Sequence, residues 1–316
     1  MEDIRFGVKL PLGGNKTHED TVRIAKAAEN NGLDAAWHSE HLVFTGEVPD
    51  DYPYIEGGTS PFEADQNAYE VFTTLAYLAA VTDDIRLGTN ICITPLRHPV
   101  LLTKLAITLD NLSEGRFDFG LGVGWLRSEF ASLGVPFEER GSRTDEFLEI
   151  FERACEEGQF AFDGPHHSFP NTGFHPRPIQ AGGPPIWLGG ESGATFRRIG
   201  QYGDGWMATS IPVDEFASGV DRMMNAWTDY EREGEPNVAI KQSMWIGDRP
   251  EGIEPLMAGS ADDVIDDIEE FVDAGAKMVV SDFRRTETAP IRRFSTAEQI
   301  EQIERLGDEV IPHFRD

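Results

Sequence analysis

Gly189-Gly190-Glu191-Ser192-Gly193 stands between an apolar run that reads as a buried strand and a helical pattern beginning near Ala194. Glycines at such a turn let backbone amides approach an anion, and Ser192 and Thr195 offer hydroxyls. The first N–H groups of the helix are unpaired and lie at the positive end of its dipole. The chemistry implied is phosphate binding. The same residues also read as a Ser-capped helix behind a Gly-rich turn, and on local sequence alone that plainer reading is the stronger. A second constellation is Trp37-His38-Ser39-Glu40-His41, at the end of another strand-like run. Histidine beside a carboxylate suits proton transfer because the imidazole titrates near neutrality. The alternative is that His41 caps a loop and His38 packs in the core. A metal at His38 and His41 is not expected, because HSEH lacks both the helical HExxH spacing and a third ligand. Gly120-Leu121-Gly122-Val123-Gly124 lacks the GxGxxG spacing of a dinucleotide loop. Small residues there would instead leave room for a flat ring, with Trp125 at its edge. Trp37, Trp125, Trp206 and Trp245 all fall at or just after strand ends, which suggests either an aromatic-lined mouth or simple core packing.

The elements that must position these residues alternate between short β-branched or aromatic runs and longer helical patterns, the signature of repeated βα units. Strands are expected at residues 5–10, 35–38, 86–91, 117–121, 185–188, 205–209, 239–246 and 277–282. Helices are expected at 17–31, 69–81, 100–111, 143–156, 194–202, 213–233, 261–274 and 296–313. The first helix carries its own stops, a Thr17/Asp20 capping pair and Gly32. Eight units predict an α/β fold, a (β/α)8 TIM barrel formed by one domain over residues 1–316. Residues 44–66 and 158–184, rich in Pro and Gly and without hydrophobic period, read as long βα insertions at the C-terminal rim.

Composition narrows the function. The chain has 316 residues, 56 acidic against 27 basic, and a net charge of -29. Such a field repels nucleic acid and anionic membrane. It also suits concentrated salt, where a screening length of roughly 3 Å at 1 M removes the self-repulsion, so a salt-adapted, haloarchaeal origin is expected. No apolar run is long enough to span a bilayer and the N-terminus does not read as a signal peptide, which predicts a cytoplasmic protein. Cys92 and Cys155 lie in no metal-ligand or redox motif and read as reduced thiols.

Five stretches occur in an order that resembles one known family. They are Leu87-Gly88-Thr89-Asn90-Ile91-Cys92-Ile93-Thr94-Pro95-Leu96-Arg97-His98-Pro99, Ser113-Glu114-Gly115-Arg116-Phe117-Asp118-Phe119-Gly120, Gly122-Val123-Gly124-Trp125-Leu126-Arg127-Ser128-Glu129-Phe130, Arg140-Gly141-Ser142-Arg143-Thr144-Asp145-Glu146 and Trp187-Leu188-Gly189-Gly190-Glu191-Ser192-Gly193-Ala194-Thr195. The chain thereby resembles the luciferase-like flavin and deazaflavin oxidoreductases, and within them the branch that uses coenzyme F420. The resemblance implies that Glu191, Ser192 and Thr195 bind the cofactor phosphate, Glu191 through its backbone amide. Gly189 and Gly190 would admit the phosphate, and Arg143 would be its cation, with Arg140 as the nearby alternative. A surface ion pair of either arginine with Asp145 or Glu146 is the competing reading. His41, assisted by Glu40, would handle the proton, and Gly124 and Trp125 would border the ring. The resemblance further implies a non-prolyl cis peptide between Asn90 and Ile91, pressing that backbone against the ring.

The function so implied is hydride transfer between a small organic substrate and F420, by a homo-oligomer of two or more chains. The alternatives are a two-component monooxygenase using reduced FMN and oxygen, and a non-catalytic flavin-binding protein. Similarity to the deazaflavin-dependent glucose-6-phosphate dehydrogenases is incomplete. Glu40 stands where those enzymes have Asp, and the position nearest their catalytic Glu after the fourth strand is Arg127, so that substrate is not carried over.

Overall fold

Each expected strand is present in the computed structural model, which describes residues 4–45, 63–248, 256–283 and 294–315. The strands β1 (Arg5–Lys9), β2 (Ala35–His38), β3 (Arg86–Thr89), β4 (Phe117–Gly122), β5 (Ile186–Gly189), β6 (Gly205–Thr209), β7 (Asn237–Ile246) and β8 (Met278–Asp282) pair in parallel, in chain order. β8 returns to β1 through Arg5↔Met278 and Phe6↔Val279, so the sheet closes into a barrel. Cys92–Ile93 adds a short pairing beyond β3 against the end of β4.

Around the barrel lie α1 (His18–Asn30), α2 (Val71–Ala79), α3 (Pro99–Leu112), α4 (Arg140–Glu156), α5 (Gly193–Tyr202), α6 (Val213–Asp229), α7 (Ala261–Asp273) and α8 (Thr296–Arg305). The expected start of α1 holds: the Thr17 hydroxyl accepts from the Asp20 amide and the Asp20 carboxylate accepts from the Thr17 amide. The last helix is shorter than expected. It gives way at Leu306–Val310 to a wider turn and resumes at Ile311–Phe314, where Pro312 lacks the N–H a regular helix needs.

Successive strand residues point to opposite faces, which makes two cores. Phe6, Leu87, Phe119, Leu188, Ile240 and Val279 face the helices and belong to the large cluster between sheet and helices. Ala35, Trp37, Trp187, Met207, Ala239, Met278 and Val280 fill the barrel itself. Trp37 and Trp187 meet edge to face at 5.5 Å inside it. Below them, at the strand N-terminal ends, Arg86 grips the buried Asp118 with two hydrogen bonds of 2.7 and 3.0 Å, and Arg5 donates to Asn237 at 2.7 Å.

The two insertions differ. Residues 44–66 follow β2 and so leave from the C-terminal rim as expected, though 46–62 lie outside the described residues. Residues 158–184 are not a βα insertion, because they follow α4 and precede β5. Gln159–Asp163 and Ser168–Gly173 form an antiparallel hairpin whose Phe160 and Phe162 pack on Ile107 and Ile150. Two buried residues of one short strand are too few to register as a hydrophobic period. Only the hairpin tip approaches the mouth: Glu146, in the second turn of α4, accepts from His167 Nδ1 at 2.7 Å and from the His166 and His167 amides.

Candidate functional site

The C-terminal ends of the strands enclose a cavity of about 320 Å³, within the usual range for small-molecule sites of about 300–1,000 Å³. Glu40, His41, Asn90, Ile91, Gly124, Trp125, Gly189, Gly190 and Glu191 all line it, so one cavity gathers most of the residues singled out by sequence.

The Asn90–Ile91 peptide is cis, as the resemblance implied. Just beyond it, the Ile93 amide donates to Glu40 Oε2 at 2.6 Å and the Thr94 hydroxyl donates to the Gly122 carbonyl at 3.1 Å. The Ile91 side chain lies across the ends of β4 and β5. A Cβ added at Gly122 would fall 1.7 Å from Ile91 Cδ1, and one at Gly189 would fall 3.2 Å from Ile91 Cγ2. Glycine at Gly122 is what lets this wall form. Beside it, Asn90 is 4% exposed, its Oδ1 accepts from Lys241 Nζ at 3.4 Å, and its Nδ2 has no hydrogen-bond partner.

His41 is 6% exposed and its Nδ1 lies 3.0 Å from Oε2 of Glu129, a fully buried carboxylate. The other oxygen, Oε1, accepts from the Leu42 amide at 2.6 Å. The Trp125 ring meets His41 edge-on at 5.8 Å. Glu129 is the site residue that sequence reasoning missed. It sits in the quoted Ser128-Glu129-Phe130, two positions beyond Arg127, and nothing local distinguishes it from any other acid in a short helix (Arg127–Ser132).

The expected assistance of His41 by Glu40 is corrected. Glu40 Oε1 accepts from Arg97 at 2.5 Å while Oε2 accepts from Ile93, so both oxygens are spent on holding the segment after Asn90–Ile91. Burial pushes the Glu40 carboxyl above its ordinary range, against the pull of Arg97. Arg97 also bonds Glu70 at 2.6 Å. The carboxylate that His41 does meet is that of Glu129. His38, one step before, points to the helix side of β2, opposite Trp37. It is buried, and burial, opposed by the Tyr69 backbone and aided by the charge of Lys9, lowers its pKa to about 4.

At the Gly-rich turn, Ser192 is the N-cap of α5, its hydroxyl accepting from the Thr195 amide at 3.1 Å and lying 3.0 Å from the Thr195 hydroxyl. Gly190 has φ +101°, a conformation L side chains rarely adopt, and its carbonyl accepts from Trp206 Nε1 at 3.0 Å. Local capping and an open turn therefore coexist, with Ser192 exposed. Arg143 is not brought to this turn by any hydrogen bond: its Nε and Nη2 both donate to Glu139 Oε2, at 2.9 and 2.7 Å. The competing surface pair thus exists, but with Glu139, since Asp145 bonds Arg197 and Arg198 on α5 and Glu146 bonds His167. Arg140 lies over the Phe137 ring at 3.9 Å.

Of the four tryptophans expected at the mouth, Trp125 alone lines the cavity. Trp37 fills the barrel, Trp206 stacks on Phe216 at 5.4 Å on the helix side, and Trp245 stacks on Phe294 at 4.5 Å. Strand alternation decides this: position at a strand end does not tell which face a residue takes.

The flat Ile91 wall, the buried Asn90 Nδ2 and the glycine turn before α5 fit a planar heterocycle that carries a phosphate. Among the described residues no group of three His, Cys, Asp or Glu is placed to hold a metal, and no helix is long and apolar enough to cross a membrane.

The sequence pattern of the luciferase-like monooxygenases matches residues 4–257. An uncharacterized protein of Mycobacterium bovis is 33% identical over 194 residues, covering 61% of this chain and 66% of the relative's length. That relative is bacterial and gives no support to the haloarchaeal origin expected from composition. Among solved structures, a monooxygenase of Streptomyces bottropensis superposes with a TM-score of 0.80 at 21% identity, covering 98% of this chain and 100% of the other. A coenzyme F420 dependent tetrahydromethanopterin reductase of Methanopyrus kandleri gives 0.78 at 21% identity, covering 99% and 100%. At such identities the two structures establish a common fold.

Proposed function

The chain belongs to the luciferase-like monooxygenase family, and from that premise we propose that it is an F420-dependent oxidoreductase, moving a hydride between a small organic substrate and the deazaflavin ring. The observation that carries the proposal is the buried His41–Glu129 pair facing a cavity walled by Ile91. A substrate that loses or gains a hydride also exchanges a proton, and this pair is built to hold one. An F420-dependent reductase and a monooxygenase share this fold, so the choice of branch is decided by the titration below.

When bound, the coenzyme supplies the ring carbon that accepts or gives the hydride. The rest falls to the chain. Glu129 accepts from His41 Nδ1 and fixes the imidazole, whose Nε2 is the atom assigned to take the substrate's proton. Once protonated, the imidazolium is balanced by the Glu129 carboxylate at 3.0 Å. Trp125 packs edge-on against the imidazole. Ile91 and Gly124 border the ring, and Glu40 keeps that wall in place through Arg97 and the Ile93 amide. Gly189 and Gly190 admit the phosphate to the first amides of α5 and to Ser192 and Thr195, with Glu191 contributing its amide. Arg143 joins by sharing its guanidinium between Glu139 and the phosphate.

A second reading, a monooxygenase using reduced FMN and oxygen, is favoured by the description of the family itself. Calorimetric titration separates the two. F420 should bind more tightly than FMN, and Ser192→Ala or Arg143→Ala should each weaken it by about 1.5–3 kcal/mol, the worth of a charge-assisted hydrogen bond. Tighter FMN binding with oxygen uptake would transfer the chain to the second reading. Binding without hydride exchange towards any substrate would leave a flavin-binding protein.

A further inference from the structure

We propose that Lys241 and Asn90 form the recognition site for the pyrimidinedione edge of the bound ring, and that Lys241 favours the reduced state of that edge over the oxidised one. The proposal rests on the reading that a flavin or deazaflavin occupies the mouth.

Lys241 lies in β7 two residues after Ala239, which fills the barrel, so the lysine shares that inward face one layer higher. It is 8% exposed and lines the cavity. Its Nζ donates to Asn90 Oδ1 at 3.4 Å. That contact engages the acceptor of the amide and leaves Asn90 Nδ2 as a buried donor with no partner. Two donors, an ammonium and an amide, therefore stand side by side on opposite strands of the barrel. Asn90 also immediately precedes Ile91, so the donor pair sits where the flat wall begins. Asn90, Ile91 and Lys241 line the same cavity, so a planar ring against Ile91 would have Lys241 and Asn90 at one of its edges.

The pyrimidinedione is the edge that matches them, because it carries carbonyl acceptors flanking a ring nitrogen and is common to flavins and deazaflavins. A hydride taken up by such a ring would bring two electrons and one proton, and its net negative charge would fall on the N1–C2 carbonyl edge. An ammonium held there in a low-dielectric site stabilises the charge where it develops. It does little for the uncharged oxidised edge. An anionic substrate group is the other occupant two donors could take, and the test distinguishes it.

The full chain is titrated with FMN and with F420, each oxidised and each reduced under anaerobic conditions, as wild type, Lys241→Met and Lys241→Arg. Circular dichroism verifies folding. Lys241→Met should weaken the reduced ring about tenfold more than the oxidised one, which lowers the bound two-electron midpoint potential by about 30 mV. Lys241→Arg should keep the wild-type potential. Should Lys241→Met not fold, Lys241→Gln, which keeps a donor without the charge, takes its place with the same expectation. Wild-type affinity and potential in the uncharged variant would overturn the proposal and leave the pair to an anionic substrate group. Failure of the wild-type chain to bind either ring is a different result, which overturns the functional reading and this inference with it.

Discussion

The two ends of the barrel are lined by similar kinds of residue and use them differently. At the N-terminal end, Arg86 closes on Asp118 with two hydrogen bonds and also donates to the Gly115 and Phe117 carbonyls and to Gln180, while Arg5 closes on Asn237. Charge there is matched to charge. At the C-terminal end charges are paired as well, Glu40 with Arg97 and His41 with Glu129, but around a cavity: the Asn90 amide is left a donor to spare, and Gly122, Gly124, Gly189 and Gly190 leave parts of the wall without side chains. A saturated network stabilises one arrangement and has nothing left to offer a ligand. An unsaturated one costs about 1–3 kcal/mol for each buried group left unpaired and recovers it when a ligand arrives. The difference separates the structural end of the barrel from the chemical one, as expected for this architecture.

The largest effect should come from the chemical end. His41→Asn can still donate to Glu129 but cannot carry the substrate's proton, and turnover should fall about 100- to 10,000-fold with the midpoint of urea unfolding nearly unchanged. Near-normal turnover would move the proton to another group and remove the distinction between the two ends. Asp118→Ala tests the opposite end. It leaves Arg86 facing an emptied site and should cost about 3 kcal/mol, the lower end of the range for a broken buried pair because the Arg86 side chain is 29% exposed. Activity per folded molecule should be preserved, as measured by denaturant titration alongside turnover.

His38 tests whether a buried imidazole sets a pH limit on stability. Its pKa falls from 6.5 to about 4 on folding. Between those values the unfolded chain holds the extra proton, so the contribution is fully present above about pH 6.5 and is lost as pH falls to about 4, up to about 3 kcal/mol in all. Unfolding followed at pH 7 and pH 4.5 should show a smaller loss in His38→Leu than in wild type. Equal losses would mean that other groups govern acid unfolding. The smallest and most diffuse effect concerns neither end. The net charge of -29 is spread over the whole surface, so the thermal midpoint should rise from low to molar KCl by a similar amount in wild type, His41→Asn and Asp118→Ala. A midpoint independent of salt would show that self-repulsion does not limit stability.

Much of this was legible in the sequence, and what was not follows a pattern. Alternation and helical period located all eight strands and all eight barrel helices to within a few residues, except where the last helix breaks at Leu306. The hairpin over Gln159–Asp163 and Ser168–Gly173 escaped because it buries so few residues. Family resemblance led to the Asn90–Ile91 bond and the local pattern to the Ser192 cap, both of which depend on residues close in the chain.

What the amino-acid order determined by itself was therefore local: which residues alternate, where a helix is capped, where glycine permits a turn, and which short segments belong to a family. Tertiary structure alone decided the partners. His41 and Glu129 are 88 residues apart, Glu40 and Arg97 57, and Asn90 and Lys241 151. Each meeting depends on closure of the sheet and on the register between strands, which together choose among many acids of the same type. Arg143 bonds a carboxylate four residues away for the same reason, since Asp145 and Glu146 were already taken by groups that folding brought to them.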